Sequence, residues 1–353
     1  MTSRRAAVVG TGLIGGSIGL ALRRRGWLVS GSDQDPARVA RAVELGAVDV
    51  VGVDPEAEIT FLATPVRSVA ASATWALANT KGLVTDVGSV KGSIVEAVAD
   101  ARFIGGHPMA GSELEGIEGA DADLFAGAVW VLTPTPATDD ANLRALRSVI
   151  LDLGADVVAL TPEHHDALVA VVSHVPHLTA ASLMRLADER GTEHRALLRL
   201  AAGGFRDMTR IASGHPGIWP DICAENRIAI VDVLDGLVAS LREVRAIVAG
   251  DDRDGLLALL EQARAARANL PSRLSGIGDL CEIRIPVPDR AGVLAEVTTL
   301  AGRLDVNIAD LEIAHSSEGE QGVLILLVEA AAADRLRAGL VEHHFRPAVL
   351  PLD

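Results

Sequence analysis

A chain of 353 residues, 49% apolar and with 34 glycines, is long enough for two or three cores and too apolar to be disordered. Its formal charge of −15 excludes nucleic acid as a partner, because phosphate-backbone binding needs clustered Lys and Arg to displace counterions. The two cysteines, Cys223 and Cys281, lie far apart in no metal-ligand spacing, which excludes a disulfide framework and a zinc site and suits a reducing, cytoplasmic compartment.

The opening stretch, "MTSRRAAVVGTGLIGGSIGLALRRRG", has the outline of a signal peptide, with arginines on both sides of an uncharged run. Glycines at 10, 12, 15, 16 and 19 weaken a membrane helix, and no small-residue cleavage site follows, so the reading is a folded start and no membrane. Within it a short apolar run turns at Gly10-Thr11-Gly12 and continues with helical periodicity through Leu13, Ile14, Ile18 and Leu22. Gly10, Gly12 and Gly15 satisfy G-x-G-x-x-G: a tight turn, a close backbone approach to a pyrophosphate, and close helix–strand packing. The helix that opens at Leu13 and Ile14 then points its N-terminus at the phosphates. The next strand, "WLVSGSD", ends at Asp33, 21 residues past Gly12, where an acid bonds the adenosine ribose hydroxyls. Gln34 follows, with no Arg or Lys to hold a 2′-phosphate, so NAD is preferred over NADP.

Strand and helix signals keep alternating: "ITFLATP" with a helix from Val66, "GLVTDVGS" with a helix from Gly92, "RFIGGHPM", "AVWVLTP" with a helix from Asp139, and "ADVVALTP". That order predicts a mainly parallel sheet with helices on both faces, whose ligands bind at the carboxyl ends of the strands. Thr64-Pro65, Gly88-Ser89 and His107 fall at or just beyond such ends and line one crevice. Alone, a histidine between a glycine pair and a proline reads as an ordinary loop residue before it reads as a catalyst. The strand-end position makes His107 an acid/base candidate at the nicotinamide end of the cleft.

From Pro162 to about Leu274 the strand signals vanish and apolar residues recur at helical spacing, predicting an α-helical second domain. In "VVSHVPHL", Ser173 and His177 are four apart and share one helical face, His174 points elsewhere, and Pro176 perturbs the helix. His164, His165, His174 and His177 lack the spacing that completes a metal ligand set. In "AAGGFRDMTRIASGHPGIW", Asp207 can hold one of Arg206 and Arg210, leaving the other to present its planar fork to a substrate carboxylate; a surface ion-pair ladder fits the same spacing.

Together, "GTGLIGGS", "TDVGSVK", "GGHPMAGSE", "SHVPH" and "GGFRDMTRIA" closely resemble the prephenate dehydrogenase family, including its arogenate-using members, over residues 5–270. The resemblance implies a Rossmann-type NAD-binding domain (1–160), then an all-α substrate and dimerisation domain (161–275) making a homodimer, with the active site between them. It implies oxidative decarboxylation of prephenate to 4-hydroxyphenylpyruvate without a metal. By the same resemblance, His107 is the catalytic histidine that takes the ring-hydroxyl proton as hydride leaves, and Ser89 orients it. Arg210 binds substrate carboxylate, Ser173 and His177 face the substrate side chain, and Lys91 has no assigned role. Arogenate carries an ammonium where prephenate has a keto group, so an acid near the side chain favours it; Glu113, Glu115 and Glu118 are the candidates, Glu113 foremost.

The segment 279–353 reads as strand, helix, strand, strand, helix, strand. Through "PDRAGVL" and "VNI" it resembles an ACT domain, a small α+β ferredoxin-like regulatory module. Asp289, Gly292 and Asn307 then lie near the amino-acid effector position, and tyrosine is the expected inhibitor. Ala291 stands where many members have proline. Two other functions are weighed from sequence, the second disfavoured. A non-catalytic NAD-sensing regulator would tolerate loss of His107. A hydroxyacid dehydrogenase would need a lysine in the helical domain, and no lysine lies beyond Lys91. Tyrosine is absent throughout, which would let a tyrosine-producing enzyme be translated when tyrosine is scarce.

Overall fold

Short apolar runs buried on both faces become the strands of one eight-stranded sheet. A computed structural model describes residues 3–112, 114, 116–193, 197–269, 280–288, 290–315 and 321–351. The sheet and its helices run β1 (Arg5–Val9), α1 (Leu13–Arg24), β2 (Leu28–Ser32), α2 (Pro36–Glu44), β3 (Val50–Val51), β4 (Ile59–Leu62), α3 (Val66–Asn79), β5 (Leu83–Asp86), α4 (Gly92–Ala97), β6 (Phe103–Pro108), β7 (Val129–Thr133), α5 (Asp140–Asp152) and β8 (Asp156–Ala159). Strand order is β3-β2-β1-β4-β5-β6-β7-β8. The first six strands are parallel, β7 runs antiparallel to β6, and β8 is parallel to β7. The stretch with the outline of a signal peptide is β1 and α1, and β1 is central to the sheet.

The order reverses between β1 and β4, which is the switch point where such sheets bind ligands. Phe61, Phe125 and Trp130 fill the core beneath it, all fully buried. His107 lies within β6, paired with Val131 of β7, so it is mounted on a strand rather than on a loop beyond one. The glycine before it has a packing reason. A Cβ on Gly106 would sit 2.7 Å from the Asp86 carbonyl oxygen and 3.0 Å from Trp130 Nε1.

Helices follow: α6 (Pro162–Val169), α7 (Val175–Glu193), α8 (Gly203–Thr209), α9 (Trp219–Glu225), α10 (Arg227–Ala249) and α11 (Arg253–Ala268). Thr161 caps α6 through the His164 N–H, with Pro162 in the first turn. Between α6 and α7, Ala170–His174 forms a π-turn. Pro176 has no N–H to offer the carbonyl of Val172, and the chain answers with a wider turn just before it. Ser173 lies in the π-turn and His177 in the first turn of α7.

The chain divides into two compact units, residues 1–253 and 254–353. In the second, β9 (Leu280–Pro288), α12 (Val293–Arg303), β10 (Ile308–His315), β11 (Gln321–Glu329), α13 (Ala330–Glu342) and β12 (Ala348–Pro351) form an antiparallel sheet of order β10-β11-β9-β12 with two helices. Ile283, Ile285, Leu324, Leu326, Leu336 and Leu340 form its core. Gly292 caps α12 from the left-handed region at φ +89°, and Asn307 is exposed just before β10. Asp289 lies outside the described residues.

Candidate active site

The glycine turn is built for an anion. Gly10 has φ +92°, and a Cβ there would meet the Ala63 carbonyl oxygen at 2.3 Å; one on Gly15 would meet the Gly10 carbonyl oxygen at 1.9 Å. Gly12 differs: apart from its chain neighbours, nothing among the described residues lies within 4 Å of its Cβ position, so its surface is open to a ligand. α1 starts at Leu13 with no side-chain cap and no acid in its first turn, leaving Leu13, Ile14 and the dipole to face an anion. Thr64, just past β4, has a buried Oγ1 with no hydrogen-bond partner among the described residues, and Pro65 is the N-cap of α3. An orphaned hydroxyl at the end of β4, whose backbone packs on Gly10, fits a bound dinucleotide. Asp33 also serves the turn itself. Its Oδ2 accepts from Thr11 N (2.8 Å) and Thr11 Oγ1 (3.3 Å), and its Oδ1 accepts from Asp35 N (3.0 Å). The acid braces the glycine turn, and a carboxylate's roughly four lone-pair sites leave room for a ribose hydroxyl.

At the β5 and β6 ends, one carboxylate organises the backbone. Asp86 accepts from Gly88 N (2.9 Å) and Gly106 N (3.1 Å), the residues preceding Ser89 and His107. Its counter-charge is Lys91, whose Nζ bonds Asp86 Oδ2 with both side chains fully buried. Burial pulls the Lys91 ammonium below its ordinary pKa, and the Asp86 carboxylate opposes that. Lys91 is thus a structural cation beneath the cleft. The Lys91 side chain packs against Gly105, where an added Cβ would lie 3.2 Å from its Cδ.

His107 is 9% exposed, and its Nδ1 lies 2.8 Å from Nε2 of His165, which is wholly buried. His165 Nδ1 lies 2.7 Å from Asp166 Oδ1. Asp166 also accepts from Lys91 N and Gly92 N, both at 2.8 Å, and its carbonyl accepts from Asn226 Nδ2 at 2.8 Å. Burial first, then His165, Lys91 and His174, hold His107 well below the ordinary imidazole pKa. His174 is buried with Nδ1 3.2 Å from Asn226 Nδ2, and burial lowers it to about 4.

The remaining predicted residues divide. Ser89 is half-buried in the turn after β5. Ser173 is half-buried in the π-turn. The His177 ring stacks on Trp219 at 3.7 Å and 12°, and the His174 ring meets the same indole edge-on. Gly214, four residues past Arg210, packs near the His177 ring, and Arg210 itself is exposed. Glu113 and Glu115 lie outside the described residues; Glu118 turns to the surface and pairs with Arg41 at 3.3 Å. Sequence reasoning missed Asp86, Asp166, Asn226 and Trp219, and gave His165 no role once a metal site was set aside. Among the described residues no group of three or more His, Cys, Asp or Glu could hold a metal ion. The one available signal was "HHD" at the capped start of an apolar helix.

A glycine turn at the switch point, with a buried neutral histidine three strands along the sheet, defines a dinucleotide-binding dehydrogenase site. Residues 18–159 match the nucleotide-binding domain of prephenate dehydrogenase and residues 161–262 its dimerization domain. The chain belongs to the prephenate dehydrogenase family. It is 34% identical over 349 residues to the prephenate dehydrogenase of Bacillus subtilis, covering 94% of this chain and 93% of that one. Among solved structures it is similar to prephenate dehydrogenase of Aquifex aeolicus in complex with hydroxyphenyl propionate and NAD+ (TM-score 0.72, 32% identity, 77% of this chain and 99% of that chain). It is similar also to arogenate dehydrogenase of Synechocystis (TM-score 0.66, 34% identity, 74% and 98%).

Proposed function

We infer that this chain is an NAD-dependent prephenate dehydrogenase, converting prephenate to 4-hydroxyphenylpyruvate and carbon dioxide. The observation that carries the reading is His107, a buried imidazole held neutral at the strand ends beside the nucleotide cradle. Gly12, Leu13, Ile14, Asp33, Thr64 and Pro65 would hold NAD, whose nicotinamide accepts the hydride. His107 takes the ring-hydroxyl proton, with Ser89 orienting the hydroxyl. Arg210 binds a substrate carboxylate, and Ser173 and the Trp219-stacked His177 flank the side chain. Aromatisation supplies much of the driving force, so the protein contributes chiefly by positioning.

Steady-state kinetics with prephenate and arogenate, each with NAD and NADP, tests this reading. The expected order puts prephenate with NAD first in kcat/KM, and a higher kcat/KM for arogenate would overturn the substrate assignment. The lowered pKa of His107 adds a pH prediction. A base that must be neutral is disabled only when pH falls to its own pKa, so kcat/KM should stay flat from pH 8 down through 6.5 and decline only in more acidic solution. An inflection at or above 6.5 would contradict it.

The β-α-β-β-α-β order and sheet order of the second unit support an ACT domain there, with tyrosine as inhibitor bound near Gly292 and Asn307. Pro162–Gly191 is long and apolar enough by length and composition to cross a membrane. However, it carries His165, Asp166, His174 and His177 of the site. Its exposed Leu168 and Val172, with Ile228, Val231 and Leu241 of α10, supply instead the apolar face of a homodimer.

A further inference from the structure

We propose that His165 and Asp166 are positioning residues for proton transfer: they fix the tautomer of His107 and take up the charge that forms when it accepts a proton. The proposal rests on the reading of His107 as the base. The hydrogen-bond roles form a chain that begins at Asp166.

The Asp166 carboxylate can only accept, and it accepts from Lys91 N, Gly92 N and His165. The proton between Asp166 and His165 therefore resides on His165 Nδ1. In a neutral His165 that leaves Nε2 with its lone pair, so Nε2 must accept across the 2.8 Å contact to His107. His107 accordingly carries its proton on Nδ1. Its lone pair is then on Nε2, the nitrogen turned away from His165. A tautomer that would otherwise be mixed is set by a carboxylate two rings away.

The same chain handles the charge. As hydride leaves the ring carbon, the hydroxyl O–H bond breaks, the electron pair forms the carbonyl, and the proton passes to His107 Nε2. The Nδ1 proton of His107 moves to His165 Nε2, leaving His107 neutral and His165 an imidazolium against Asp166. This relieves an unfavourable site, because His107 is deeply buried and near the Lys91 ammonium. Loss of carbon dioxide returns an electron pair to the ring oxygen, the two protons retrace their steps, and the phenol forms. Prephenate, NAD, 4-hydroxyphenylpyruvate, carbon dioxide and NADH balance without a released proton. A relay sealed from water suits that balance, and His165 is 0% exposed.

The test combines spectroscopy with two variants. Imidazole ¹⁵N NMR of the unliganded full chain, with His107 assigned from the missing signals of His107→Asn, is expected to show the Nδ1–H tautomer. The Nε2–H tautomer would overturn the proposal. His165→Gln offers an amide oxygen where Nε2 stood, so it should keep the Nδ1–H tautomer while lowering kcat about 10- to 100-fold, because Asp166 is disconnected. His165→Leu removes the acceptor as well and should both mix the tautomers and lower kcat further. KM for NAD should not move in either. If His165→Leu keeps kcat within about twofold and an unshifted pH–rate profile while His107→Asn is inactive, the relay is wrong and the base assignment survives. If His107→Asn itself turns over normally, the base assignment is what fails.

Discussion

Replacing His107 by Asn is expected to lower kcat by about 10²- to 10⁴-fold while NAD binding, followed by fluorescence titration, stays within about twofold. Asparagine suits the test because its amide N–H can stand in for Nδ1–H toward His165, so the relay contact and the β6–β7 pairing are kept. What is lost is the Nε2 lone pair. Nothing in the nucleotide cradle touches this change, since Gly12, Asp33 and Thr64 belong to β1, β2 and β4 and their connections. Normal turnover by this variant would remove the central residue from the proposed chemistry. Weakened NAD binding together with lost turnover would point instead to collapse of the cleft.

The second large effect is on stability. Lys91→Met strips the counter-charge from Asp86 and leaves a carboxylate wholly buried with only the Gly88 and Gly106 N–H groups. Breaking one partner of such a pair costs about 3–5 kcal/mol, which in a unit of this size lowers Tm by roughly 10 °C. Adding Asp86→Asn to Lys91→Met should recover a large part of the loss, because the amide oxygen still accepts one of those N–H groups and no buried charge remains. Thermal unfolding of the two variants measures it. A Lys91→Met protein within about 1 kcal/mol of the parent would mean that Asp86 finds another partner.

The sheet, its switch point and the glycine turn were legible because they depend on local pattern: apolar runs, glycines where backbones touch, and an acid at a strand end. Motif likeness is what singles out His107, Ser89 and Arg210 for the proposed site. Asp86 and Asp166 were not legible, because an acid in sequence carries no mark of burial. Asp86 reads like any polar residue ending a strand, and only the fold brings Lys91 and Gly106 against it. His165 reads as one of four clustered histidines, and its partner, His107, lies 58 residues away. The π-turn also escaped, since a helical wheel has no place for an extra residue per turn, although Pro176 marked where regular geometry would yield.

Asp166 also has a mechanical meaning. It ties the helical segment to the sheet by two backbone N–H bonds at the start of α4, and to α10 through Asn226. A looser crossing is made by Arg67 on α3, 65% exposed, which reaches Asp221 and Glu225 of α9 at only 3.7 and 3.8 Å. Exposed pairs at such distances resist little. The His107–His165 contact therefore sits next to the firmer of these two ties.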